Sequence, residues 1–257
     1  MTQESGGPPT VAARDLVLSY DRHIALDSSS FSIPGQVGTI AIIGPNGSGK
    51  STLLHAMTGL IRPREGALQV LGKDPVAIRS VVSYVQQTTQ LHESLPITVR
   101  QVVAMGRYPK VGWWRRLSAH DRALIQRAMD RMQVADLASR QFAELSGGQR
   151  QRVLIAQGIA QEHQLLLLDE PLTGLDLTSA RTIDALVHGE REDGCTVVLT
   201  THDLDEARAA DQVILVGGKV LAAGPPDQVL TRRNLETAFG LGALHGWKGF
   251  LDSPHHD

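Results

Sequence analysis

The sequence predicts an α/β fold: a mainly parallel sheet with helices on both faces, joined by an antiparallel β subdomain and an inserted helical subdomain. Three observations lead there. Residues 37–43 form a short, nearly continuous apolar run, the mark of a strand buried on both faces. In the second half, strand patterns at 165–168, 196–199 and 212–216 alternate with helical patterns at 177–190 and 204–209. Between these two parts, residues 88–162 carry helical spacing instead.

Residues 1–10 are Gly/Pro-rich and read as a disordered leader. The stretches 11–20 and 28–33 follow as short strands around a polar turn at 21–23, an expected antiparallel hairpin. The run 37–43 ends directly in a glycine-rich segment and then a helix through Leu53, Leu54 and Met57. Strand signals resume at 68–71 and 81–85. Helical spacing takes over at 98–105 and 119–132, where Leu124, Ala128 and Met132 share one face. Gly217-Gly218 marks a hairpin turn, and short helices close the domain by Phe239. The expected organisation is a core of 11–87 and 163–239, a helical subdomain of 88–162, and a C-terminal tail of 240–257.

Composition narrows the function classes. The chain has 257 residues, 42% of them hydrophobic, enough for one compact domain. Lys+Arg 25 against Asp+Glu 27 leaves a formal charge of -2, with no basic field to draw nucleic acid, so no nucleic-acid partner is expected. No apolar run is long enough to span a bilayer, and the expected location is the cytoplasm. The single cysteine, Cys195, precedes a β-branched run and reads as a small buried residue without chemistry.

Gly44, Pro45, Asn46, Gly47, Ser48, Gly49, Lys50 and Ser51 fit G-x-x-x-x-G-K-[ST] in full, between a buried strand and a helix. Holding a polyanion requires backbone N–H groups turned inward, which glycine permits, and the positive end of a helix dipole aimed at the phosphates. Lys50 is placed for the β- and γ-phosphates, and the Ser51 hydroxyl for Mg²⁺. The next residue, Thr52, completes the nucleotide-binding set. Four leucines, 165–168, then lead into Asp169-Glu170-Pro171 and carry two acids to the C-terminal edge of the sheet. Asp169 suits the Mg²⁺. Glu170, pointing the other way along the pleat, suits a general base for the attacking water.

Leu145-Ser146-Gly147-Gly148-Gln149 opens a helix upstream of that strand, with a serine hydroxyl and glycine amides suited to an anion. With the phosphate loop, this segment resembles the LSGGQ signature of the ATP-binding cassette ATPases, whose core is of the P-loop NTPase, RecA-like type. The resemblance covers residues 11–235. It implies that Ser146, Gly147, Gly148 and Gln149 bind the γ-phosphate of a nucleotide held by another subunit. With one phosphate loop and one signature, a homodimer enclosing two ATP molecules follows.

The resemblance implies further roles. Tyr20 matches the aromatic residue that stacks on adenine. In Tyr84-Val85-Gln86-Gln87, Gln87 matches the glutamine that touches Mg²⁺ and water, while Gln86 stands where proline is common. Asp176, in Gly174-Leu175-Asp176, matches the loop linking the two sites across the dimer, and His202 the switch histidine at the γ-phosphate. The segments 105–109, 112–116 and 121–122 and the run Asp169 to Asp176 look like the cassettes of bacterial manganese, zinc and iron importers. Such a cassette lies against the inner face of the membrane on integral permease subunits and serves an extracytoplasmic binding protein indirectly. The run Ala156 to Gln161 departs from the A-R-A-L-A-Q common in that group. Import of iron-siderophore, haem or cobalamin is the alternative, then a soluble cassette protein acting on ribosomes or DNA. His245, His255 and His256 lack ligand spacing and are assigned no role.

Overall fold

The computed structural model describes residues 7–21, 23–86, 96–112 and 114–240. In chain order its elements are strands β1 (Val11–Tyr20), β2 (His23–Ile33) and β3 (Thr39–Ile43), helix α1 (Lys50–Met57), and strands β4 (Glu65–Val70) and β5 (Val82–Val85). Helices α2 (Val99–Met105), α3 (Tyr108–Val111), α4 (Ala119–Arg131) and α5 (Gly147–Ile159) form the helical block. The chain returns through β6 (Leu165–Leu168), α6 (Leu177–Glu192), β7 (Thr196–Thr201), α7 (Leu204–Ala209), β8 (Gln212–Val216), β9 (Val220–Gly224), α8 (Pro226–Val229) and α9 (Arg232–Phe239).

Two sheets result. β2-β1-β4 is antiparallel, and the larger sheet runs β5-β6-β7-β3-β8-β9, parallel except for the edge strand β9. The pleat explains the uninterrupted leucines of β6. Leu165 and Leu167 point into one core with Ile40, Ile42, α1 and the antiparallel sheet, whereas Leu166 and Leu168 enter a second core with Ala41, Ile43 and the helical block. The central strands β3 and β6 therefore need apolar side chains on both faces.

Three expectations are corrected. The second strand begins at His23, so the hairpin turn is tighter than the segment 21–23. The buried face of α4 is centred on Asp121, Ile125, Ala128 and Met129, and Leu124 lies at its edge. Asp121 takes that buried position because it closes a capping box with Ser118 and accepts from the Arg107 guanidinium at 2.9 Å. Those hydrogen bonds, Ser118 first, hold its carboxyl down at about 2. Cys195 is half-buried rather than buried, because it sits in the exposed turn between α6 and β7.

Candidate functional site

β3 lies between β7 and β8, so the loop leaving it emerges at the centre of the sheet's C-terminal edge. Gly44 abuts β8 so closely that an added Cβ would sit 2.0 Å from the Val216 carbonyl oxygen. Gly49, at φ 104°, caps α1 and would place a Cβ 2.6 Å from the Ala25 carbonyl oxygen. The loop is also pinned to the β8–β9 turn, where Gly218 N–H donates to the Ser48 carbonyl at 3.1 Å. An open cleft of about 580 Å³ lies in front, lined among others by Asn46, Gly47, Ser51, Thr52 and Glu170.

Lys50 lies across this cleft. Its Nζ donates to the Gly44 and Pro45 carbonyls at 2.9 and 3.2 Å and stands 3.8 Å from Glu170 Oε1. Burial lowers its pKa, and the charges of Glu170 and Asp169 partly restore it. Ser48 Oγ is buried without a hydrogen-bond partner among the described residues, so the loop carries unspent polar capacity.

The two acids do not continue the pleat as the sequence predicts. Glu170 has a φ of 46°, the left-handed region that a residue other than glycine seldom occupies. A hydroxyl on the next strand stabilises this turn: Thr200 Oγ1 donates to Asp169 Oδ1 at 2.5 Å and accepts from the Glu170 N–H at 2.8 Å. Glu170 is thereby aimed between Lys50 and His202, whose Nδ1 lies 4.0 Å from Oε2. Asp169 is only 5% exposed. The structure thus gathers Lys50, Asp169, Glu170 and His202 into one cluster, of which Lys50 and Glu170 line the cleft and Asp169 and His202 stand behind and beside Glu170.

Ser146, Gly147, Gly148 and Gln149 are not part of that gathering. Ser146 caps α5 in a capping box with Gln149, each side chain answering the other's backbone N–H at 3.3 and 3.0 Å. Ser146 and Gly147 are exposed, and a Cβ on Gly147 would meet nothing within 4 Å. Gly148 is buried against α6, where a Cβ would sit 2.5 Å from Asp176 Oδ2 and Ser179 Oγ. Asp176 caps α6 through Ser179, and the N–H of Ser179 is the first cause of its lowered pKa. Gln87, the predicted Mg²⁺-touching glutamine, and the three tail histidines lie outside the described residues.

A family model for ABC transporter matches residues 26–173. The chelated iron transport system membrane protein YfeB of Yersinia pestis is 39% identical over 238 residues, covering 90% of this chain and 79% of that protein. The manganese transport system ATP-binding protein MntB of Halalkalibacterium halodurans is 38% identical, covering 87% of this chain and 89% of its own. The chain belongs to the ABC transporter family. Among solved structures, a metal-chelate type ABC transporter in an inward-facing conformation superposes with a TM-score of 0.78 at 31% identity, over 90% of this chain and 89% of that one. A dimeric, post-hydrolysis cassette bound to ADP and phosphate gives 0.73 at 27% identity, over 84% of this chain and 98% of that one.

The cassette binds ATP and is an ATPase, and no helix among its described residues is long and apolar enough to cross a membrane. Sequence reasoning missed several of its residues. Thr200 carries no motif signal, since its partners lie 30 and 31 positions away. Tyr20 sits at the hairpin tip, paired in register with His23, and the cleft is lined on this side by His23, Ile24 and Ala25. The Tyr20 hydroxyl meets His55 Nδ1 at 2.6 Å, His55 Nε2 meets the Tyr84 hydroxyl at 3.0 Å, and that hydroxyl donates to Asp169 Oδ2 at 3.5 Å. Burial, then the Asp169 charge, raises the Tyr84 pKa, so its hydroxyl keeps its proton. His55 is detectable only by noting that it lies one helical turn after Ser51 on α1.

Proposed function

We propose that this cassette is the cytoplasmic ATP-binding subunit of a metal-ion importer, with manganese the favoured cargo and zinc or iron next. It rests on integral permease subunits supplied from an extracytoplasmic binding protein. Relatives named for manganese and chelated-iron transport, at 38% and 39% identity, support the metal class. The observation that carries the mechanism is the separation of the two glycine-bearing turns: Lys50, Asp169, Glu170 and His202 cluster at the edge of one cleft, while Ser146 and Gly147 face outward elsewhere. A second copy, arranged head to tail, brings its signature turn over the first copy's nucleotide. The likeness to a dimeric cassette bound to ADP and phosphate supports that arrangement.

The Ser51 hydroxyl and Asp169 carboxylate fit Mg²⁺, because both offer the hard oxygen donors that ion takes, and the Asp169 carboxylate is already oriented by Thr200. When bound with ATP, Mg²⁺ neutralises charge on the phosphate oxygens. In this reading Gln87 joins these ligands, Lys50 holds the β- and γ-phosphates, and Tyr20 stacks on adenine. Glu170 accepts the proton of the attacking water, His202 contacts the γ-phosphate, and Asp176 links the paired sites. Hydrolysis and product release reopen the dimer and move the permease through the helical subdomain. The domain division remains a core of 11–87 and 163–239 around an inserted 88–162 unit.

The test is total cellular manganese, zinc and iron, measured by elemental mass spectrometry in cells with and without the cassette, grown under limitation for each metal. Selective loss of one metal, restored by the wild type and not by Glu170→Gln, identifies the cargo. No change in any metal transfers the assignment to siderophore, haem or cobalamin import.

A further inference from the structure

At the opposite end of the sheet from the nucleotide cleft, three side chains of different chemistry are drawn together. His163 immediately precedes Gln164 and β6, and Cys195 immediately precedes β7. Because β6 and β7 pair with Leu165 opposite Thr196, the two residues are brought side by side, and Cys195 Sγ donates to the His163 carbonyl at 3.3 Å. Glu190, in the last turn of α6, is folded onto them as its carbonyl accepts the Cys195 N–H at 2.9 Å. His163 Nε2 lies 2.9 Å from Glu190 Oε2. One potential ligand atom from each residue falls within 4.8 Å of the others.

From this juxtaposition we infer a binding site for a borderline divalent transition-metal ion, of the zinc class, held by His163, Glu190 and Cys195. Four features support it. The His163 and Glu190 side chains are 4% and 3% exposed, so the site is walled by protein. Among the described residues His163 Nδ1 is buried without a hydrogen-bond partner, so within them the ring is not that of a fully satisfied structural histidine. Arg131, at the end of α4, stands 2.7 Å from Glu190 Oε1, which leaves Oε2 as the oxygen facing the ring. Finally, an imidazole, a carboxylate and a thiol together select zinc-like ions over Mg²⁺ or Mn²⁺, which favour oxygen donors. Tetrahedral zinc with bonds of about 2.0 to 2.3 Å needs ligand atoms roughly 3.5 Å apart, so His163 Nε2 and Glu190 Oε2, now 2.9 Å apart, open slightly around the ion while the wider spacings, up to 4.8 Å, close. Three protein ligands leave a fourth position for water.

The site is separate from the nucleotide's Mg²⁺ and from any cargo in the permease. It lies where the helical block meets the core, since Arg131 of α4 also approaches Asp193 at 3.6 Å. An ion there draws on the same Glu190 carboxylate that anchors this tie.

Cys195 is the only thiol in the chain, which makes the test specific. The full-length, nucleotide-free protein is titrated with Co²⁺ in excess Mg²⁺, followed by absorption spectroscopy and by Zn²⁺ competition. The expected result is a thiolate-to-cobalt charge-transfer band that Zn²⁺ abolishes, and slower alkylation of Cys195 when Zn²⁺ is present. Cys195→Ser should remove the band, and His163→Gln should weaken Zn²⁺ binding by about 10-fold or more. A variant with His245, His255 and His256 replaced by Ala should keep the band. Because Glu190 is buried against Arg131, Glu190→Gln tests folding as much as ligation, and the first two variants decide. No charge-transfer band, loss of all metal binding with the tail histidines, or unchanged affinity in a folded His163→Gln protein overturns the site.

Discussion

The phosphate loop and the signature turn are both glycine-bearing segments that open a helix, yet Gly44 and Gly49 of the first and Gly147 of the second meet different surroundings, while Gly148 is packed against Asp176 and Ser179. Gly44 and Gly49 press against backbone carbonyls of β8 and β2, at 2.0 and 2.6 Å for an added Cβ, so the fold itself forbids a side chain. Gly147 faces open space, and a Cβ there would meet nothing within 4 Å among the described residues. In the proposed dimer, the open space in front of Gly147 is where the partner's nucleotide approaches its backbone. In that proposal the phosphate loop is shaped by its own fold, whereas the signature turn meets its ligand only in a second copy.

The sharpest test of the cleft is Glu170→Gln, which keeps the shape and removes the proposed base. ATP turnover should fall by about 10²- to 10⁴-fold, with ATP-bound dimers accumulating in size-exclusion chromatography. Brisk turnover would remove the general-base role. Next comes the glycine contrast. Gly44→Ala should destabilise the fold by about 1–3 kcal/mol or more in urea unfolding, as overpacking against fixed backbone does. Gly147→Ala should leave the unfolding midpoint unchanged or slightly raised while turnover drops. If it lowers stability as Gly44→Ala does, the comparison breaks.

Smaller effects sharpen the account of the acids. Thr200→Val strands the Asp169 carboxylate and the Glu170 N–H together, and should cost about 1–3 kcal/mol in transition-state stabilisation from kcat/KM, with Thr200→Ser restoring most of it. Smallest is Tyr84→Phe. Its hydrogen bond to Asp169 is long at 3.5 Å, so the apparent Mg²⁺ requirement should rise by less than about 10-fold, within the 0.5–1.5 kcal/mol of an ordinary hydrogen bond. An effect as large as that of Thr200→Val would make the chain from Tyr20 through His55 as strong a determinant of Asp169 as Thr200.

Much of this molecule is legible in its sequence, for physical reasons that act locally. A strand buried on both faces must be apolar throughout, so β3 and β6 are visible as unbroken runs. A polyanion site built from backbone amides needs glycines at set spacing, so the phosphate loop is visible as well. The alternation of strand and helix then implies the sheet, and the order of the acids along the chain implies which edge carries the chemistry.

Only the tertiary structure decided the rest, because it depends on register between distant segments. The pairing of β6 with β7 sets Thr200 beside Asp169 and Glu170 at one end and Cys195 beside His163 at the other. The left-handed turn at Glu170 follows from that hydroxyl and not from the local sequence, which favours continuing the pleat. The buried face of α4 likewise turned on Arg107, which draws Asp121 inward against the hydrophobic pattern. Periodicity records what each element buries, and the meeting of polar groups across elements is decided when those faces pack.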